Sequence, residues 1–339
     1  MLNQAVINLS NIRNNAKKIK KKLKKGVKFC AVVKADAYGH GAEKISNALY
    51  PIVDSFAVAI TEEGVALRLS GIDKQILVFT PSNKTDVERS VFYNLTHTVT
   101  TVEQLKLLNA ESKRQNRTVK VHIKYNTGMN RQGVDGLSEL KDLLKFAKRY
   151  DSIEICGLYS HFSMPENKIS LNKALNKFLL ANNLIKGYNR KANCHISASG
   201  GFLKGVQLDM VRIGILLYGY KPFSSNYLSV TPSMKIYAPI LTKRCLSSGE
   251  VALYGDKAIE EGGVYSLVRY GYADGLERKQ TSEIFNNRCM DLSLMKCVKK
   301  AKRGAVIMDD ADAMAKKYNT ISYEILTKST LRAEKIYID

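Results

Sequence analysis

Short apolar runs alternate with segments of helical periodicity over the first two thirds of the chain, and this alternation limits the possible folds more than any other feature. Each run has the length of a buried parallel strand, about four to eight residues. Eight strands that alternate with helices predict an α/β fold with a TIM-type (β/α)8 barrel. The eight runs cover residues 29–33, 55–60, 75–79, 96–100, 119–123, 153–158, 193–196 and 210–217.

The alternation ends near Lys221-Pro222, and the rest of the chain has a different pattern. Shorter strand-like stretches at 233–237, 264–269 and 305–308 are separated by Gly, Asn and Asp turns, which is typical of a small β domain. We therefore expect an N-terminal barrel over residues 1–225 and a C-terminal mainly-β domain over residues 226–339. An opening strand at 5–9 precedes the barrel runs and can pack with the second domain.

The net charge of +22 is the most unusual global property, and it could indicate binding to nucleic acid or to an anionic membrane. The lysines are spread along the chain except at 17–25, where Ile19 and Leu23 give the run one apolar helical face. No aromatic residues interleave this run, as a base-stacking surface would require. We therefore favour a solvated helix face and expect neither a nucleic-acid partner nor a membrane partner.

The sequence gives three indications of cellular compartment and metal content. It begins without a basic segment followed by an apolar one, and no apolar run has the length that crosses a bilayer. The six cysteines are scattered without a Cys-x-x-Cys pair, as in proteins of a reducing compartment, and the five histidines lack metal-ligand spacing. We expect a cytoplasmic protein with no metal site.

The stretch 29–41 places one amine at the end of the first barrel strand. The apolar run stops at Lys34, and Gly39 and Gly41 then loosen the backbone. Because desolvation disfavours the ammonium form, such a lysine can form a Schiff base with an aldehyde cofactor. A lysine at a strand end more often simply extends its head group into solvent, so both interpretations stay open on this stretch alone.

The segment Ala31-Val-Val-Lys-Ala-Asp-Ala-Tyr-Gly-His-Gly41 resembles the pyridoxal-phosphate attachment motif of alanine racemases, which are fold-type III pyridoxal-phosphate enzymes. The polar residues that match this family in the first part follow the C-terminal ends of the predicted strands, where barrel enzymes work. The resemblance extends almost to the end of the chain, and further segments match in the family's order: Lys124-Tyr-Asn-Thr-Gly-Met-Asn-Arg131, Leu253-Tyr-Gly-Asp256, Gly271-Tyr-Ala-Asp-Gly275, Arg288-Cys-Met-Asp291 and Ile321-Ser-Tyr-Glu-Ile-Leu326.

The resemblance implies that pyridoxal 5'-phosphate is the cofactor and that the barrel domain binds it. Lys34 matches the lysine that carries the cofactor in this family. Arg212 matches the arginine that faces the ring nitrogen, and an arginine keeps its proton, so the nitrogen stays unprotonated. The other positions that match cofactor-binding residues are Tyr38, His161, Ser199, Gly214, Ile215 and Tyr323.

The same resemblance implies the residues that meet the substrate. Tyr254 matches the second catalytic base, which works on the opposite face of the substrate from Lys34. Arg131 and Met290 match substrate-binding positions, and the arginine suits a carboxylate because its donors form a fork. Supporting positions are matched by Lys124, which corresponds to a lysine that can be carbamylated in relatives, and by His195, Tyr272 and Asp291.

These matches imply an alanine racemase that interconverts L- and D-alanine with two bases and supplies D-alanine for peptidoglycan. They also imply a homodimer in which each subunit contributes Tyr254 to its partner's site. Another fold-type III enzyme, such as a broader amino-acid racemase or a decarboxylase, is the first alternative. A non-catalytic pyridoxal-phosphate-binding protein and a basic nucleic-acid-binding protein are further alternatives. A non-catalytic pyridoxal-phosphate-binding protein would be a single barrel, so the second domain disfavours that alternative. A nucleic-acid-binding protein would have no use for Lys34 and Arg212.

The sequence departs from the common pattern of the family at several positions. Asparagine replaces a common aspartate twice, and the other changes remove a common asparagine, a proline, an aromatic residue and a glycine. The changes at Leu276 and at 286–287 lie beside the site, so they could alter its rim. The departures are Asn8, Asn126, Ala198, Ile213, Leu276 and the Asn pair at 286–287.

Overall fold

The computed structural model describes residues 2–81, 83–254, 258–275, 288–296 and 299–339. The chain divides into two compact units. The barrel unit comprises Arg13–Ala35 and Ala42–Val230, and the C-terminal unit comprises Met1–Ile12, Asp36–Gly41 and Thr231–Asp339. Every helix within the described ranges is too short or too polar to cross a lipid bilayer.

The chain opens with strand β1 (Gln4–Asn8) and helix α1 (Leu9–Lys21). The strands that follow in the barrel unit are β2 (Lys28–Val32), β3 (Ser55–Val58), β4 (Gln75–Val78), β5 (His97–Val99), β6 (Val119–Lys124), β7 (Ile153–Tyr159), β8 (Asn193–His195) and β9 (Met210–Ile213). The helices between them are α2 (Lys34–Tyr38), α3 (Ala42–Leu49), α4 (Thr61–Leu69), α5 (Val87–Phe92), α6 (Val102–Gln115), α7 (Gly136–Ala147), α8 (Lys168–Tyr188) and α9 (Ser199–Leu203).

The eight strands of the barrel unit are parallel and form two four-stranded sheets, in the orders β4-β3-β2-β9 and β5-β6-β7-β8. A parallel bridge between Leu77 and Thr96 joins the sheets at one seam. At the other seam the N–H of Arg212 donates to the carbonyl of Ser197 at 3.0 Å. The predicted (β/α)8 barrel is therefore confirmed.

The barrel strands are almost continuously buried, as expected when helices cover a parallel sheet. In β6 five of the six residues are buried, including Val121 and Ile123. The last predicted run, 210–217, forms a strand only as far as Ile213. The chain turns there, and the N–H of Leu217 donates to the carbonyl of Gly214 at 2.8 Å.

The C-terminal unit is mainly β, and β1 lies inside its larger sheet. The order of this sheet is β14-β15-β10-β1-β16, and a second sheet has the order β11-β12-β13. β1 pairs antiparallel with β10 and parallel with β16. The strands are β10 (Met234–Ala238), β11 (Ile240–Leu246), β12 (Gly263–Val268), β13 (Ser293–Lys296), β14 (Lys300–Ala301), β15 (Gly304–Met308) and β16 (Glu334–Ile338), with helices α10 (Ala311–Lys317) and α11 (Ser322–Lys328).

Candidate active site

Lys34 follows β2 and lies at the C-terminal end of a barrel strand, as predicted. Its side chain is half-buried. Its pKa is lowered below the ordinary lysine value by burial and by the charge of Arg131, while Glu63 acts in the opposite direction. A larger share of this amine is therefore in the neutral, nucleophilic form than for a lysine in water.

Arg212 lies on β9, where the strand register pairs it with Cys30 of β2. Its side chain is 2% exposed. The guanidinium donates to Nδ1 of His195 at 2.5 Å, to the carbonyl of Ser160 at 2.6 Å and to the carbonyl of Ile196 at 3.2 Å. Burial lowers the pKa of Arg212 to about 10, so the group stays charged at neutral pH. A fixed cation with hydrogen-bond donors therefore sits inside the barrel.

Lys124 ends β6 and is buried close to the same cation. Its Nζ lies 4.4 Å from the ring centroid of Tyr159, and the guanidinium carbon of Arg212 lies 5.2 Å from that centroid. The pKa of Lys124 is held well below the ordinary lysine value by burial, and then by the charges of Arg212 and Arg131. The ring of Tyr159 thus contacts two basic side chains, and all three groups are buried.

His161 lies near several basic side chains of the barrel unit. Its Nδ1 lies 3.5 Å from a terminal nitrogen of Arg212. Its pKa is lowered well below the ordinary histidine value, first by burial and then by four nearby charges, which are those of Arg212, Lys124, Arg131 and Lys34. The imidazole is therefore neutral at physiological pH, in a region whose positive charge favours an anionic ligand.

The loop after β8 brings a buried hydroxyl next to the turn after β9. The N–H of Gly214 donates to Oγ of Ser199 at 3.3 Å, and Ile215 is buried beside it. A Cβ at Gly200 would lie 2.5 Å from the ring of Pro165, so the backbone here approaches its neighbours more closely than a larger residue allows. Hydroxyl and N–H groups in such a loop can bind an anion without a formal cation.

Tyr38 and Tyr323 meet within the C-terminal unit, with ring centroids 5.9 Å apart. Tyr38 is buried, and burial followed by the neighbouring Tyr323 raises its pKa above the ordinary tyrosine value. Burial and the nearby Asp312 carboxylate raise the pKa of Tyr323 to about 12. Both hydroxyls therefore keep their protons at neutral pH and are available as hydrogen-bond donors.

The short helix α2, which begins at Lys34, is a single left-handed turn. Residues 35–38 have φ angles of 51° to 54°, a conformation that costs about 1–2 kcal/mol for each residue with a Cβ. Nδ1 of His40 lies 3.1 Å from the carbonyls of both Ala37 and Tyr38, and Nε2 of His40 lies 3.0 Å from Oγ of Ser233. The imidazole therefore holds the strained turn from within the C-terminal unit.

Three of the remaining predicted residues cluster in the C-terminal unit. The N–H of Tyr272 donates to the carbonyl of Cys289 at 3.3 Å, next to Met290 and Asp291 in the chain. Arg332 donates to the Asp291 carboxylate at 2.7 Å. Met290 is exposed, and Tyr272 has its side chain at the surface as well.

Tyr254, the predicted second base, is also in the C-terminal unit and is 69% exposed. The residue before it, Leu253, has a φ of 61°. The structure thus presents the Tyr254 side chain on the surface of this unit.

Two of the sequence departures, Asn126 and Asn8, have a local structural explanation. Oδ1 of Asn126 accepts from the N–H groups of Gly128 and Asn130 at 3.0 and 3.1 Å, and its Nδ2 donates to Asp135 at 2.7 Å. A neutral amide therefore organises this loop by using both its donor and its acceptor. Oδ1 of Asn8 accepts from the N–H of Asn11 at 2.7 Å in the first turn of α1. Ala198 precedes α9 and Ile213 is buried in β9, and nothing in the structure explains these two changes. Leu276 and the pair at 286–287 lie outside the described residues, as does Asp256 of the matched segment 253–256.

Three polar residues in the vicinity of Arg212 and His195 are not among those predicted from the sequence: Tyr159, Thr98 and His122. Tyr159 stacks on His195 with ring planes 7° apart, and its hydroxyl lies 2.8 Å from Oγ1 of Thr98. His122 lies with Nδ1 2.9 Å from Nε2 of His195. The sequence contained one indication of His122: it lies two positions before Lys124, and residues two apart on a strand point to the same face of the sheet.

The sequence matches the family descriptions "Alanine racemase, N-terminal domain" over residues 7–222 and "Alanine racemase, C-terminal domain" over residues 233–337. The alanine racemase of Aquifex pyrophilus is 30% identical over 334 residues, covering 92% of each chain.

Two solved structures are similar over nearly the whole chain. The alanine racemase of Clostridium difficile 630 has a TM-score of 0.93 and 28% identity, covering 100% of this chain and 96% of its own. The alanine racemase of Bacillus anthracis with bound L-Ala-P has a TM-score of 0.90 and 27% identity, covering 99% and 95%. With both domain descriptions matched in order and both units of the fold accounted for, the chain belongs to the alanine racemase family of isomerases.

Proposed function

We propose that this protein interconverts L-alanine and D-alanine with pyridoxal 5'-phosphate as cofactor. The observation that carries the proposal is that a half-buried Lys34 with a lowered pKa follows β2, while a buried, charged Arg212 lies on the neighbouring strand β9. One group can attack an aldehyde, and the other can donate to a ring nitrogen. Membership of the alanine racemase family supports this combination.

The chemistry of the donors fits the cofactor. Lys34 supplies the amine that would hold its aldehyde carbon. Ser199, with the backbone N–H groups of Gly214 and Ile215, supplies uncharged donors that suit a phosphate dianion. In the C-terminal unit, the hydroxyls of Tyr38 and Tyr323 are uncharged donors of the same kind. When bound, the cofactor would withdraw electrons from the substrate and make its Cα proton acidic.

Two side chains are proposed to move the Cα proton. By the family pattern, Lys34 takes and returns the proton on the face of the D-isomer, and Tyr254 does so on the face of the L-isomer. When one of them removes the Cα proton as a base, the other donates a proton to the opposite face as an acid. Because Tyr254 is exposed on its unit, it is free to serve the site of a second subunit, and we propose a homodimer with shared sites.

The remaining predicted residues are proposed to bind and orient. Arg131, with its fixed charge and forked donors, would hold the substrate carboxylate, and Met290 would contact the substrate. His161 is kept neutral by burial and then by its basic neighbours, so it can relay a proton without adding charge. Supporting roles are proposed for Lys124, His195, Tyr272 and Asp291.

The domain and cellular assignments remain part of the proposal. We assign cofactor binding to the barrel domain at 1–225 and the second base to the domain at 226–339. The product D-alanine would serve peptidoglycan synthesis from the cytoplasm. No nucleic-acid or membrane partner is needed for this role.

The deciding experiment measures D-alanine formation from L-alanine by purified protein with added pyridoxal phosphate, and records the visible spectrum of the same sample. We expect turnover, a cofactor absorbance band, and loss of both in Lys34→Ala. Tyr254→Phe should keep the band and lose abstraction from L-alanine. A band without alanine turnover would point to a broader racemase or a decarboxylase, and the absence of a band would refute the proposal.

A further inference from the structure

Four polar side chains form a continuous hydrogen-bonded row through the interior of the barrel unit. A terminal nitrogen of Arg212 lies 2.5 Å from Nδ1 of His195. Nε2 of His195 lies 2.9 Å from Nδ1 of His122. Nε2 of His122 lies 3.4 Å from the side-chain amide of Gln75 on β4. The row therefore starts at β9, crosses β8 and β6 of the other sheet, and ends on β4, at the far edge of the sheet that holds Arg212.

The chemistry of the groups fixes the direction of each bond. A guanidinium has only donors, so Nδ1 of His195 must accept from Arg212. The neutral imidazole then carries its proton on Nε2 and donates it to Nδ1 of His122. His122 in turn carries its proton on Nε2, and the Gln75 amide accepts it when its oxygen is the atom turned toward the ring. One tautomer of each histidine satisfies the row.

Both imidazoles are neutral, so each carries a single N–H, and its tautomer decides which ring nitrogen donates and which accepts. Burial, followed by the charges of Arg212 and Lys28, lowers the pKa of His122 to about 3. The pKa of His195 is also held well below its ordinary value by burial and then by Arg212. The ring plane of His195 is fixed independently, since Tyr159 stacks on it almost in parallel.

The strands leave a space that the His122 ring occupies. His122 is paired with Gly157 of β7, and a Cβ built on Gly157 would lie 2.5 Å from two atoms of the imidazole. The register of the strand pair shifts between Val121 and His122. The imidazole thus lies where only a glycine can face it, which is consistent with a specific role for the ring.

We propose that His122 is a positioning residue for the reaction: by accepting the Nε2–H of His195 it fixes the tautomer whose Nδ1 accepts from Arg212, and so it holds the guanidinium in place. This inference rests on the proposed function, which assigns Arg212 to the ring nitrogen of the cofactor. Without an acceptor at position 122, His195 gains access to the other tautomer. That tautomer directs an N–H at the guanidinium, so Arg212 must move away.

Two substitutions at His122 distinguish the effect of the hydrogen-bond acceptor from the effect of the volume of the ring. His122→Asn places a carbonyl oxygen near the position of Nδ1 and keeps the acceptor. His122→Leu keeps a similar volume but has no acceptor. If positioning depends on the acceptor, the first variant should resemble the wild type and the second should not.

The first measurement reads the tautomers and does not depend on activity. The chain has five histidines, so ¹⁵N labelling of histidine gives a small set of side-chain signals in long-range ¹H–¹⁵N spectra of the full-length protein, with and without pyridoxal phosphate. We expect His195 to carry its proton on Nε2 in the wild type and in His122→Asn, and to populate the Nδ1–H form in His122→Leu. A wild-type His195 with the proton on Nδ1, or an unchanged tautomer in His122→Leu, would overturn the inference.

The second measurement is alanine racemisation by the same holoenzymes. Removal of one neutral hydrogen bond predicts that kcat falls about tenfold in His122→Leu and stays within about threefold in His122→Asn, with KM for alanine changing less than kcat. Equal losses in both variants would show that the acceptor is not what matters. If the tautomers behave as expected but no variant and no wild-type sample racemises alanine, the positioning role stands and the proposed function fails.

Discussion

The residue that sets the character of the barrel interior is Arg212, a buried cation whose bonds go to uncharged acceptors. Its partners are an imidazole nitrogen and backbone carbonyls, which hold a guanidinium without cancelling its charge. Lys124 and His161 lie close enough for that charge to lower their pKa values. A desolvated positive charge of this kind favours an anionic ligand, and the phosphate and carboxylate of the proposed cofactor and substrate have the matching sign.

His40 is a second residue whose position has a measurable consequence. Its ring bonds the left-handed turn and Ser233, and burial lowers its pKa to about 4 from an ordinary value of 6.5. As pH falls, His40 therefore becomes protonated in the unfolded chain at a higher pH than in the folded chain. The stability that neutral His40 contributes is lost between about pH 6.5 and about pH 4. We predict that His40→Leu lowers the free energy of unfolding by about 1–3 kcal/mol at neutral pH and by less at pH 4.

Urea unfolding of the protein without cofactor, at several pH values, measures this difference. Ser233→Ala is the control, because it removes one bond to the imidazole and leaves the two to the turn, and we expect it to cost about 1 kcal/mol. A loss for His40→Leu that is as large at pH 4 as at neutral pH would contradict the role assigned to the neutral ring.

At the scale of elements, the pairing of β6 with β7 decides where His122 lies. The strands are in register from Val119 to Lys124 except for one shift, and this shift sets His122 opposite Gly157. Side chains of a buried strand must share a limited volume with their neighbours. The missing Cβ at position 157 is therefore what leaves room for the imidazole.

We predict that Gly157→Ala destabilises the protein by about 1–3 kcal/mol, because the new methyl group overpacks the space that the imidazole fills. Combining it with His122→Ala should recover part of this loss, since the two changes compete for one volume. Thermal or urea unfolding of the four members of the cycle measures the coupling.

Gly187→Ala in α8 is the matched control for that cycle. A Cβ at Gly187 meets no atom within 4 Å, so we expect this change to be neutral or stabilising by up to about 1 kcal/mol. Additive effects of Gly157→Ala and His122→Ala would mean that the two sites do not compete.

At the scale of the whole molecule, the C-terminal unit is built from three separate parts of the chain. Its larger sheet has β1 between β10 and β16, so a strand from the first ten residues completes a sheet whose other strands come after residue 231. The segment Asp36–Gly41, which directly follows Lys34 and Ala35, belongs to the same unit. The chain therefore passes from the barrel unit to the C-terminal unit within the segment 31–41, between Ala35 and Asp36.

We predict that a fragment of residues 231–339 does not fold cooperatively, because without β1 both β10 and β16 lose a hydrogen-bonded neighbour. Fusing residues 2–12 to its N-terminus through a flexible linker should restore β structure, since β1 and β10 are antiparallel. Circular dichroism and urea unfolding of the two fragments test this. Cooperative unfolding of the shorter fragment would contradict it.

The sequence by itself determined the barrel, the family and the set of chemically distinctive residues. Apolar runs with helices between them identified all eight barrel strands, because burial on both faces leaves a strong local pattern. The position of Lys34 at a strand end followed from the same pattern. Strand ends were less well defined, as at β9, where Gly214 turns the chain while the apolar pattern continues to Leu217.

The tertiary structure decided what each of those residues touches. The row from Arg212 through His195 and His122 joins residues far apart in the chain, and only barrel closure brings them within hydrogen-bond distance. The left-handed turn after Lys34 holds four residues that disfavour it locally, so no propensity predicts it, and contacts from His40 stabilise it. Local patterns encode burial and chain direction, whereas proton positions and strained backbone depend on contacts that exist only after the chain has folded.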